Sequence, residues 1–128
     1  MKSVRFQTRV FGVDETVKTF GALGRGVHMG VIRGVRVWLE AVGAESQAEV
    51  PRKTGRLAGS MRIAVKQTTP VHGEIEYTAP YAAIVHEVPR GPLSNGKWKY
   101  LEDPFKRLEP QMTETVAREA AAAMKEAV

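Results

Sequence analysis

The stretch from Arg25 to Glu49 constrains this chain more than any other. At about 100° per residue, Val27, Val31, Ile32, Val35, Trp38, Leu39 and Val42 fall on one face of a helix. Arg25, Arg33, Arg36 and Glu40 fall on a second. A third sector carries Gly26, Gly30 and Gly34 at spacings of four, continued by Ala41, Ala44 and Ala48. Each glycine inside a helix costs ~1 kcal/mol relative to alanine. Such a stripe points to close approach by another backbone, inside the chain or from a neighbouring subunit, or else to an irregular helix start near Gly26 or Gly30. The charges also run against the helix macrodipole: Arg25, Arg33 and Arg36 come early, and Glu40, Glu45 and Glu49 come late. Each exposed charge placed this way costs a few tenths of a kcal/mol. Pairing between subunits is one reading of that cost, and chance is the other. Pro51 ends the helix.

The helix needs an apolar surface to lie on, and three alternating segments offer one. Val4, Phe6, Thr8 and Val10 alternate with Arg5, Gln7 and Arg9, as in a half-buried strand. Met61, Ile63 and Val65 alternate with Arg62, Ala64 and Lys66. After the turn at Thr69-Pro70, Val71, Gly73, Ile75 and Tyr77 alternate with His72, Glu74, Glu76 and Thr78. The basic outer face of one segment beside the acidic outer face of the next predicts an antiparallel hairpin. Asp14 reads as the N-cap of a short helical turn through Phe20. Tyr81, Ile84, Val85 and Val88 have the spacing of a short helix after Pro80. The run from Pro89 to Gly96 has no periodicity and reads as a long Pro/Gly loop. Lys97 to Leu101 reads as a short strand. Asp103-Pro104 reads as the N-cap and first position of a last helix. Phe105, Leu108, Met112, Val116, Ala120, Ala123 and Ala127 share one face of that helix, and Pro110 kinks or splits it. The predicted fold is α+β in one domain over residues 1–128: a long helix on a small antiparallel sheet, with a C-terminal helix and a loop at 88–97 that is a candidate flexible segment.

The chemistry-bearing residues do not converge on a reaction. No cysteine is present, which excludes disulfides, thiolate metal sites and a cysteine nucleophile. His86-Glu87 begins like a zinc-protease helix, but Arg90 stands where the second histidine belongs. Ser60, the histidines and Asp103 exist without a nucleophile elbow around them. Gly21, Gly24 and Gly26 miss the dinucleotide spacing, and no phosphate-loop lysine follows them. No catalytic residue, metal or cofactor is expected, and a non-enzymatic protein is the reading. The most apolar stretch, Val27 to Ala44, carries Arg33, Arg36 and Glu40 and is too charged to span a membrane. Met1 to Arg9 holds no apolar run, so no secretory leader is expected.

Charge leaves a binding role open. The chain carries +5 overall. Residues 1–65 hold 11 Lys/Arg against 5 Asp/Glu, a net +6, and residues 66–128 hold 8 against 9, a net −1. Arg52, Lys53, Arg56 and Arg62 cluster, and Lys97-Trp98-Lys99-Tyr100 interleaves basic and aromatic side chains. A small basic nucleic-acid-binding domain would use such residues on phosphates and bases. A ring subunit, whose two unlike faces meet head to tail, would use the same asymmetry.

The order of motifs favours the second. A helix leads into Pro51-x-x-Thr54-Gly55-x-Leu57-x-x-Ser60. Two strands lead into Tyr81-Ala82-x-x-Val85-His86-Glu87, and a Pro/Gly loop leads into Lys99-Tyr100-Leu101-x-x-Pro104 and a terminal helix. With the opening Val10-Phe11-Gly12-Val13-Asp14-Glu15, this series resembles the tail-completion, or head–tail joining, family of long-tailed bacteriophages over nearly the whole chain. It departs from the family at Val88-Pro89-Arg90-Gly91, where an aromatic, a glycine and a threonine are usual. The resemblance implies a structural virion protein at the neck, assembled in the host cytoplasm. It would be a ring of copies of itself, hexameric to match the tail or twelve-fold to match the portal side. Its partners would be a connector or stopper protein and a tail terminator or tail tube, with phage DNA passing non-specifically through the lumen. The expected subunit contacts are Gly26, Gly30, Gly34, Arg33, Arg36, Arg52, Lys53, Arg56, His86, Glu87, Arg90 and Trp98.

Overall fold

Alternating side chains build a three-stranded antiparallel sheet in the computed structural model, which describes residues 3–13, 18–19, 21–52, 55–68, 70–87 and 98–127. The strands are β1 (Val4–Val10), β2 (Met61–Lys66) and β3 (Val71–Tyr77), in the order β1-β3-β2. Val4 and Met61 both lie opposite Tyr77, and Phe6 and Ile63 both lie opposite Ile75. This register puts every large apolar position on one face. On the other face Arg5 and Arg62 flank Glu76, the charge pairing expected of the hairpin.

The long helix, α1 (Ala22–Glu49), lies on the apolar face. Val35, Leu39 and Val42 are fully buried there beside Ile75 and Val71. Gly73 makes the approach close, since a Cβ at this position would stand 2.5 Å from Val35 Cγ1 and 2.9 Å from Leu39 Cδ1. The helix ends where Val50, the residue before Pro51, turns to the extended conformation that proline imposes on its predecessor. At the other end it starts at Ala22 rather than Arg25, so the glycines at 24, 26, 30 and 34 are all helical. A short α2 (Ala82–Glu87) follows Pro80. Its buried positions are Ala82 and His86, while Ile84 is 43% exposed. The periodicity of Tyr81, Ile84 and Val85 therefore misplaced the inward face, because a buried histidine reads as polar.

The segment 98–101 is a turn and not the predicted strand. Tyr100 and Leu101 are adjacent and both fully buried, which a strand's alternation forbids. Helix α3 (Glu102–Leu108) begins one residue before Asp103, with Leu101 as its N-cap. Pro104 sits in its first turn, where a missing N–H costs nothing. Pro110 falls in a 3₁₀ turn, Glu109–Gln111, that separates α3 from α4 (Met112–Ala127), as the sequence required. The α4 helix runs antiparallel beside α1, and Trp38 closes the junction by donating its indole N–H to the Leu108 carbonyl at 2.7 Å. The helices cover one face of the sheet, and the charged outer face carries half-buried and exposed residues only. The α+β reading therefore holds. The predicted helical turn at Asp14–Phe20 and the loop at 88–97 lie wholly or mainly outside the described residues.

Candidate functional site

The glycine stripe is occupied from within the chain. A Cβ on Gly30 would stand 2.6 Å from Ala120 Cα and 2.7 Å from the Glu119 carbonyl oxygen, and one on Gly34 would stand 2.7 Å from Val116 Cα. Gly30 and Gly34 are buried under α4 and present no face to another subunit, which corrects their assignment as subunit contacts. The alanines of α4 supply the matching small surface. Gly26, half-buried, lines an open groove with Met29, Ile32, Arg33, Arg36 and Gln67, walled on one side by Ala123 and Glu126 of α4. Met29 is 57% exposed there.

The charges of α1 are only partly answered inside the chain. Arg107 reaches from α3 to Glu45 Oε1 (2.6 Å) and Glu49 Oε2 (2.5 Å), offsetting part of the negative charge at the end of the helix. Those carboxylates hold its pKa above the ordinary arginine value. Arg33 meets Glu126 of α4 at 3.6 Å. Arg36 is exposed and has no ion-pair partner among the described residues.

A second constellation forms at the base of the 88–97 segment. His86 is 1% exposed, wedged between Phe6 and Tyr100 with ring centroids 6.2 and 4.9 Å away. Its Nε2 accepts the Glu102 backbone N–H (3.1 Å), so the neutral ring carries its proton on Nδ1. Nδ1 lies 3.5 Å from the Glu87 carboxylate without a hydrogen bond. Burial pushes the His86 pKa below the ordinary histidine value, against the upward pull of Glu87. The His86 carbonyl accepts the Lys99 N–H (2.8 Å), and Lys99 adopts a left-handed φ of 57°. Lysine rarely takes that conformation. Here the Lys99 ammonium is held 3.0 Å from both Glu87 and Glu102. Tyr100 buries its ring against Tyr77 and donates its hydroxyl to the Ala82 carbonyl (2.9 Å). Burial raises the pKa of both tyrosines.

His86 is therefore an internal strut and not a subunit contact, a correction with a clear cause: two aromatic rings and a backbone N–H enclose it. Glu87 is exposed and ion-paired. Trp98 is 37% exposed, with the Lys99 ammonium 5.2 Å from its ring centre. The basic cluster disperses. Arg52 turns back onto the Gln47 carbonyl and side chain (2.8 and 2.7 Å), Arg56 is exposed, and Arg62 lies on the outer sheet face opposite Glu76. Lys53 and Arg90 lie outside the described residues. Sequence reasoning missed the role of Arg107, whose one signal was the pair of glutamates four apart on α1, and missed Glu102 as a ligand of Lys99.

Among the described residues, no group of three or more His, Asp or Glu side chains is placed to hold a metal ion. None of their helices is long and apolar enough to cross a membrane. No family model matches the chain, and no curated protein or solved structure is significantly similar to it.

Proposed function

We propose that this chain is a non-enzymatic ring subunit at the head–tail junction of a long-tailed bacteriophage, where copies of it complete the tail and join it to the capsid connector. One observation carries the reading beyond the linear order of motifs. Residues from separate motifs bond to one another: the Tyr100 hydroxyl to the Ala82 carbonyl, the Lys99 N–H to the His86 carbonyl and the Lys99 ammonium to Glu87. Motif residues that lie far apart in sequence and support one another locally behave as one unit, which supports treating the series as a single family signature. With Gly30, Gly34 and His86 internal, the contact residues left for assembly are Gly26, Arg33 and Arg36 on the α1 groove and Glu87 and Trp98 beside the 88–97 segment. Arg52, Lys53, Arg56 and Arg90 remain candidates from the sequence.

The test is assembly. The purified chain is sized alone and with tail and connector proteins, and virions made with an Arg36→Glu variant are counted and imaged. The expected result is a ring, alone or on its partner, and tails that fail to join heads in the variant while its thermal stability is unchanged. A monomer that never enters virions would sink the proposal. Nucleic-acid binding in a chain that never assembles would favour the basic-domain alternative.

A further inference from the structure

We propose that one end of the sheet's outer face is a phosphate-binding site formed by Arg9, His72 and Lys66. Strand register creates it. Arg9 on β1 and Lys66 on β2 both lie opposite His72 on the central β3. Neighbouring strands are ~4.8 Å apart, so the two cations flank the imidazole within ~10 Å. These three side chains line a shallow depression with Thr68 and Pro70. Arg9 and Lys66 are exposed, and Lys66 has no carboxylate partner among the described residues.

The hydrogen bonds already present define how an anion would enter. Arg9 Nε donates to His72 Nδ1 (3.3 Å), which leaves the ring proton on Nε2, 3.3 Å from Glu74 Oε2. A phosphate oxygen between Arg9 and Lys66 takes over the Arg9 N–H. The Arg9 hydrogen bond to His72 is then exchanged for one to the anion, while Glu74 keeps its contact with Nε2. The charged groups facing that ring are Arg9 from β1, Lys66 from β2 and Glu74 from its own strand. The site takes one phosphate group and not a track of them, because Glu74 and Glu76 occupy the central strand beyond it. This inference does not depend on the head–tail reading.

Two-dimensional NMR on the full chain tests it, with sulfate and inorganic phosphate as probes. Saturable shifts at Arg9, Lys66, Thr68 and His72 are expected, and Lys66→Gln weakens binding about tenfold, the size of one charge-assisted hydrogen bond lost. Shifts that persist in an Arg9→Gln/Lys66→Gln variant would mean non-specific binding and overturn the site. A short DNA duplex decides the source. Displacement of sulfate upholds the site for a backbone phosphate, and failure to displace it upholds the site for a free phosphate.

Discussion

Gly34 and Val116 meet backbone to backbone: a single added methyl on Gly34 would lie 2.7 Å from the Val116 Cα. This approach explains two features at once. The α1 helix accepts glycines because a second helix lies in the channel they leave, and α4 is rich in alanine because a bulkier residue would not fit. Close contact over many atoms replaces the bulk that α4 lacks.

Gly34→Ala or Gly30→Ala is therefore expected to lower stability. Overpacking costs ~1–3 kcal/mol, and the gain in helix propensity returns ~1 kcal/mol. A net loss of ~1 kcal/mol lowers Tm by about 4 °C in a domain of this size. Thermal unfolding followed by circular dichroism measures it. An unchanged or higher Tm would show that α4 does not dock here.

His86 gives stability a pH dependence. Its folded-state pKa lies below that of the unfolded chain, because burial disfavours the cation. Below the unfolded value of about 6.5 the unfolded chain takes up a proton that the folded chain refuses, so stability is lost as pH falls through that window. Above it the contribution is complete. His86→Gln retains an acceptor for the Glu102 N–H without the titration. Its Tm should fall less than that of the wild type between pH 7.5 and 5.5 (about two units across the histidine range). Parallel curves would refute the assignment.

Trp38→Phe removes the indole N–H from a buried carbonyl. The Leu108 oxygen loses the donor that anchors it to α1 just before Pro110. A loss of about 1–3 kcal/mol is expected, the cost of an unsatisfied buried group, measurable in urea as a lower midpoint with an unchanged slope. A midpoint equal to that of the wild type would show that the bond carries no net energy.

Arg107→Gln tests the link between α1 and α3. The guanidinium spans Glu45 and Glu49 on a surface open to solvent. The variant should unfold at a lower temperature than the wild type in dilute buffer. The gap should close at ~1 M salt, where charges are screened beyond ~3 Å. A gap independent of salt would assign the effect to packing of the aliphatic stem.

Most elements were legible because their side chains obey one period from end to end. The strands alternate, and α1 shows its apolar face from Val27 to Val42. The legibility failed at α2 and at 98–101. Both are short, and both bury polar or aromatic groups whose partners come from elsewhere: His86 from the Glu102 backbone, Tyr100 from the Ala82 carbonyl. A periodicity cannot register a partner 16 or 18 residues away.

The sequence alone determined the α+β class, the single long helix, the hairpin and the break at Pro110, since each follows from local periodicity and backbone chemistry. It left open what covers the glycine stripe. Only the tertiary structure decided that α4 does, because a small-residue face is equally suited to an internal and an external partner, and proximity in space selects between them. The same holds for charge. The excess of positive residues was countable from the chain, but which of them are spent on Glu45, Glu49 and Glu126, and which, like Arg36, Arg9 and Lys66, face outward without a carboxylate partner among the described residues, depended on how the elements came together.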